Sequence, residues 1–249
     1  MTLQARYVLR LADTNLVLAQ RLGEWVGHAP ALEEDLGLAN VALDLLGQAR
    51  LLLAHAGELE GKGRGEDQLA YLREESEYFN LTLVEQPNGD FGDTITRQFL
   101  FDAWQLGLYE ALAGSKDATL AAIAAKGARE AAYHLRYSGG WLVRLGDGTA
   151  ESHARVANSL AQLWPFTNEL FHDDGVDRAA ADSGVGVLPS SLAAPWSARV
   201  DEVLGGATLA RPAPSGFGWY GKQGRHSEHL GYLLAEMQSL HRAHPGATW

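Results

Sequence analysis

Two helical turns hold the residues best placed to do chemistry. Glu130-Ala131-Ala132-Tyr133-His134 and Asp44-Leu45-Leu46-Gly47-Gln48 both sit inside long helical patterns. A carboxylate-bridged di-iron bundle places a Glu-x-x-His pair on each of two such helices. Here the first turn has its Glu and His four residues apart. The second has an acid followed by Gln and no His. The pattern is that of a di-iron bundle whose metal site has been emptied, which points to a structural partner of an enzyme more than to an enzyme.

Phase sharpens this reading. Asp102 falls in phase with Phe99 and Leu106, Glu130 and His134 with Ile123 and Trp141, and Gln48 with Leu45 and Leu52. Four polar residues are thus expected to aim at an apolar interior. Burying unpaired charge is costly, so they must bind a metal or pair with one another. A protein-only network would join Asp102 to His134 and turn Glu130 to a neighbouring helix or subunit. Ligand counting favours the network. Two bridged irons need about four carboxylates and two histidines, and this set offers two carboxylates and one histidine. The first helix adds Asp13 and Asn15 but no inward Glu.

Other motifs carry less. His226 and His229 flank Glu228, and His241 and His244 lie three apart; both pairs fall on a polar segment read as a solvated or interface face. Gly216-Phe217-Gly218-Trp219-Tyr220-Gly221 matches G-x-G-x-x-G, but no strand precedes it and bulky rings occupy it, so it reads as a loop. No P-loop or nucleophile-elbow motif is present.

The elements that would position these residues are helical throughout. Residues 3–26 place Tyr7, Leu11, Leu18, Leu22 and Trp25 on one face. A second helix runs to about residue 60 with two apolar stripes. One is Leu32, Leu36, Ala39, Leu43 and Leu46; the other is Leu38, Val41, Leu45 and Leu52. Such a helix is expected to be buried centrally. A long connection over 61–92, with a helix near Glu66–Phe79, leads to a helix starting at Asp93 or Thr94. Gly114-Ser115 ends that helix and caps the next, which runs to about Leu145 with Leu120, Ile123, Trp141 and Leu145 inward. Short, long and short connections between four long helices predict an all-α, ferritin-like four-helix bundle with one long crossover. The bundle spans about 3–145. A helical C-terminal extension of about 150–249 follows within the same single domain. It comprises a helix over 150–172 interrupted at Pro165, a loop rich in Asp and Gly, helices near 191–204 and 225–243, and a Pro/Gly loop from Arg211 to Gly224. Trp196, Trp219 and Trp249 in this extension suggest a protein–protein interface.

Composition limits the partners. The 249 residues carry a net charge of −11, which disfavours nucleic acid. The lack of cysteine removes disulfides, thiolate catalysis and iron–sulfur ligation, and it fits a cytoplasmic setting. The N-terminus lacks signal-peptide features, and no uncharged apolar run is long enough to span a bilayer.

Several stretches together resemble the PaaA/PaaC family, the homologous subunits of the multicomponent bacterial phenylacetyl-CoA epoxidase. They are Leu22-Gly23-Glu24-Trp25 with Gly27-His28-Ala29-Pro30, residues 43–50 and 83–91, Glu130 through Arg136, Glu228 through Gly231, Leu234 through Gln238, and the terminal Trp249. The resemblance implies a ferritin-like fold and a stable complex with a catalytic PaaA-like subunit that carries the di-iron centre. A reductase with flavin and an iron–sulfur cluster would bring electrons from NADPH. It implies that this chain is of the non-catalytic, structural type, with no cofactor of its own. By the same resemblance, Leu45 and Gln48 stand where the catalytic chain has one Glu-x-x-His, and Ala131 and His134 stand at the second. The expected function is therefore a scaffold subunit in phenylacetate catabolism, with homodimer contacts besides. A free-standing metal-binding oxidase or iron-storage protein of the same fold is the alternative.

Overall fold

Apolar periodicity of 3.6 residues runs through most of the chain, and the computed structural model is accordingly helical. It describes residues 1–216 and 218–247. Phe217 of the glycine motif and the terminal Trp249, expected at an interface, lie outside the described residues. In chain order the helices are α1 (Leu3–Gly23), α2 (Leu32–Glu60), α3 (Glu66–Tyr71), α4 (Phe91–Leu112), α5 (Ala118–Gly146), α6 (Ala150–Leu163), α7 (Gly175–Ser183), α8 (Ala193–Gly206) and α9 (Glu228–Ala243). Among the described residues no strand forms beyond a single bridge between Tyr220 and Arg225. The helices fall into two compact units, one of residues 1–86 and 220–249 and one of residues 87–219.

In the first unit α1 and α2 pack along each other. Thr2 caps α1 by accepting from the Ala5 amide at 3.1 Å. Glu33, Glu34 and Asp35 fill the first turn of α2, where acids complement the helix dipole. Gly61, at φ 70°, ends it in the left-handed conformation that glycine adopts without strain. The long connection after α2 is mostly not helical beyond α3, so its backbone needs other partners. Arg73 and Asp13 supply them. Asp13 on α1 accepts from the Phe79 amide at 2.9 Å and forms a buried ion pair with Arg73, which stacks over Tyr78. Gln238 on α9 donates to the Arg73 carbonyl at 3.0 Å and to the Tyr78 hydroxyl at 3.1 Å. The last helix is thereby fastened to the connection and to α1.

One expectation for this unit is corrected. The second helix is not central. Its Leu38, Val41, Leu45 and Leu52 face is buried, but Leu32, Leu36 and Leu43 of the other stripe are exposed. The helix buried on nearly every face is α1, despite its many polar residues.

In the second unit α4 pairs with α5, and α6 and α8 pack against both. Asp90 caps α4 in a capping box with Asp93. Asp117 caps α5 by accepting from the Leu120 amide at 3.0 Å. Ser115, expected as that cap, instead accepts from the Asp117 amide and donates to the Val185 carbonyl. The Asp/Gly-rich stretch after residue 172, expected as a loop, contains α7. Asp174 and Asp177 form its capping box and Gly184 closes it at φ 76°, so the same residue types serve as helix ends. The tryptophans of the extension also turn inward. Trp196 is buried, donates to the Leu100 carbonyl at 3.0 Å and packs on Trp164; Trp219 stacks on Phe166. Trp196 therefore joins this unit's own core, while Trp219 is half-buried on Phe166.

Candidate functional site

Small residues set the geometry of the polar cluster. The buried face of α5 runs Leu120, Ile123, Gly127, Ala131, His134, Ser138 and Leu142. A methyl at Gly127 would stand 2.6 Å from the Tyr109 ring, so α5 approaches α4 closely there. That approach brings His134 and Ser138 to Asp102, which lies on the buried α4.

Asp102 is fully buried and both its oxygens are taken. Oδ1 accepts from Gln98 Nε2 at 2.6 Å, one helical turn earlier, and Oδ2 accepts from the Ser138 hydroxyl at 2.7 Å. Burial pushes its pKa up to about 6; the charge of His134 and the bonds from Ser138 and Gln98 pull it back only in part. A protein-only network is thus present around Asp102, but its hydrogen bonds come from Gln98 and Ser138, not from the expected His134. Sequence reasoning does not single out Gln98 or Ser138. Their spacing holds the signal, since Gln98 lies four residues before Asp102 and Ser138 four after His134, each on the same helical face.

Glu130 is corrected. It is half-buried and pairs with Lys126 at 3.1 Å. Ala131 takes the inward place, because Ala131 and His134 follow the 127–131–134–138 progression and Glu130 lies about 100° behind Ala131. The same phase shift makes Leu142 the buried residue where Trp141 and Leu145 were expected.

The other degenerate positions belong to the first unit. Leu45 is fully buried, and Gln48, three residues on, accepts from Asn15 Nδ2 of α1 at 3.2 Å. Asp44 is only half-buried. A di-iron centre does not fit these donors. Leu45 and Ala131 have none, Gln48 is a neutral amide engaged with Asn15, and Asp102 already accepts a protein donor at each oxygen. No group of three His, Cys, Asp or Glu placed to hold a metal ion occurs among the described residues.

A second buried polar cluster lies in the first unit. Glu85 is fully buried and collects four donors: His226 Nδ1 at 2.5 Å, Asn80 Nδ2 at 2.9 Å, and the Ser227 amide and hydroxyl at 2.8 and 2.7 Å. The second ring nitrogen of His226 faces the Tyr78 carbonyl at 2.9 Å. With an acceptor at each nitrogen the ring is suited to carry both protons. Burial alone would lower its pKa, but the bond and charge of Glu85 and the Tyr78 carbonyl hold it above the ordinary histidine value. His226 is therefore no part of a solvated face, as the sequence suggested; the connection that carries Glu85 folds back onto the start of α9. Of the other histidines, His241 stacks on Tyr71 with ring centroids 5.0 Å apart.

Comparison with known proteins gives a matching context. The family model described as "Phenylacetic acid catabolic protein" matches residues 2–249. The chain is 53% identical over 243 residues to one of the subunits of the 1,2-phenylacetyl-CoA epoxidase of Escherichia coli (strain K12), with 98% of each chain covered. An all-helical chain with a close-packed α4–α5 pair, a buried polar cluster and this end-to-end similarity belongs to the PaaA/PaaC family of phenylacetic acid catabolic proteins.

Proposed function

We propose that this chain is a non-catalytic structural subunit of a multicomponent phenylacetyl-CoA epoxidase, acting in the cytoplasm in phenylacetate catabolism. It supports a homologous PaaA-like subunit, which holds the di-iron centre and epoxidises the aromatic ring with electrons supplied from NADPH through a reductase. It binds no metal or cofactor itself, and it also contacts a second copy of itself. The observation that carries this reading is the donor set. Leu45, Gln48 and Ala131 supply no charged ligand, and Asp102 is already hydrogen-bonded at both oxygens. Two irons bridged by carboxylates need more than one free anionic ligand.

The test is metal content after reconstitution with ferrous iron and desalting, followed by turnover of the assembled complex. Iron well below one per chain is expected, with full epoxidation only when the di-iron subunit is present. About two irons per chain would return the reading to a metal-binding oxidase or iron store.

A further inference from the structure

The first unit leaves an apolar helix face uncovered. On α2, Leu32, Leu36, Leu43 and Leu51 are 69, 56, 64 and 47% exposed. Leu32, Leu36, Asn40, Leu43, Gly47 and Arg50 follow one another at intervals of three or four, so they form one stripe along the helix. Val26, in the turn before α2, is 58% exposed and adjoins its start in sequence. Scattered exposed leucines need no explanation, but a continuous stripe of them is the mark of a contact surface.

We propose that this face of α2 seats the α2 helix of a second copy of this chain, antiparallel about a two-fold axis near Val41 and Ala42. The sequence of the stripe is self-complementary in that alignment. Leu36 meets the bare backbone of Gly47, Leu43 meets the small Asn40, and Leu32 meets Leu51. Each pairing occurs twice, as a two-fold interface requires. Charge selects the same direction. Glu33, Glu34 and Asp35 crowd the first turn, whereas Arg50, the only Lys or Arg of the helix, lies in its C-terminal half. Antiparallel packing brings the acidic turn of one copy to the Arg50 turn of the other at both ends. Parallel packing would set three acids against three acids and align the two helix dipoles unfavourably. Arg50 is bonded to Glu66 at 2.7 Å, yet its side chain remains 66% exposed, which leaves it in reach of a neighbour. The distance from Leu32 to Leu51 along the helix is about 28 Å. That suffices for the core of an interface, though a stable one buries at least about 1,200 Å² and would recruit Val26 at both ends.

This placement rests on the self-association in the proposed function and not on its metal-free character. The test is light scattering and sedimentation of the purified chain over a dilution series. The wild type is expected to be a dimer. L36E/L43E is expected to be monomeric, with its dissociation constant raised at least about 100-fold, its helical content unchanged and its melting curve that of the wild type diluted to monomer. E33R is expected to weaken the dimer about tenfold, and adding R50E to the same chain is expected to restore it, since the swapped charges again face one another. A monomer at every concentration would overturn the proposal, as would a dimer that L36E/L43E leaves intact or an E33R/R50E double variant weaker than E33R. An iron-free monomer would remove this interface while leaving the scaffold reading standing. A dimer that loads two irons per chain would do the reverse.

Discussion

The two units handle apolar surface differently. The first unit exposes leucines along α2, and Tyr232 and Leu240 along α9 are exposed as well. In the second unit the large exposed apolar side chains among the described residues are Tyr133 and Leu188. Its tryptophans are packed on one another and on phenylalanines. The second unit thus covers its apolar residues and holds the polar cluster around Asp102, while the first leaves apolar faces for something else to cover. In a family whose relative is one subunit of an epoxidase, that division separates a unit with exposed apolar faces from one that holds a buried polar cluster.

Breaking the strongest anchor of each unit gives the largest contrast. Asp13→Ala strands the buried Arg73 and removes an acceptor from the Phe79 amide, so it is expected to destabilise the first unit by about 3–5 kcal/mol. Urea unfolding followed by hydrogen exchange in residues 220–247 would show that unit opening first. Retained protection of α9 would mean that the ion pair does not organise it.

Next in size is His134→Ala in the second unit. Removing a fully buried, partnered ring is expected to cost about 1–3 kcal/mol and to lower the melting temperature. Turnover per assembled complex should stay near normal. Loss of epoxidation with assembly and stability intact would give this chain a catalytic part that its donors do not suggest.

The two clusters also differ in the pH at which they weaken, which Asp102→Asn can expose. Asp102 has a folded pKa of about 6, raised above its ordinary carboxylate value, so the protonated form is favoured in the fold. Its contribution is full below the unfolded pKa of about 4 and is lost as pH rises through 6. Asn offers an oxygen to Gln98 and an amide to Ser138. Asp102→Asn should therefore change little at pH 4 and stabilise the chain by roughly 2–3 kcal/mol at pH 8, because a tenfold change in proton affinity is worth about 1.4 kcal/mol. A constant difference between wild type and variant across that range would show that Asp102 does not titrate there. His226 works in a later window. Its folded pKa is also raised, so its pairing with Glu85 is fully present below about pH 6.5 and is lost as pH climbs through the higher folded value. Hydrogen exchange at the start of α9 is expected to quicken as pH rises above the ordinary histidine value in the wild type and to lose that pH dependence in His226→Gln.

The smallest effect should come from the exposed Arg199–Glu110 pair at 3.1 Å. Glu110→Gln is expected to move stability by less than about 1 kcal/mol. A larger loss would mean that this pair fixes α8 on α4 more firmly than an exposed ion pair can.

Helix periodicity, capping residues and the shortage of ligands were legible in the sequence because each depends on residues three or four apart. That local information places α1, α2, α4 and α5 to within a few residues. The resemblance places Leu45, Gln48, Ala131 and His134 at the two Glu-x-x-His positions, where their side chains cannot supply two such pairs. Three features were decided only by tertiary packing. Ala131 rather than Glu130 faces inward because the close approach at Gly127 fixes the rotation of α5. His226 lost its expected exposure because Glu85, far away in sequence, folds onto it. The most apolar-looking helix, α2, kept one face bare while the more polar α1 was enclosed. Periodicity reports that a helix has two apolar faces; what covers each face depends on how many neighbours the chain itself supplies, and for α2 the chain leaves one face exposed.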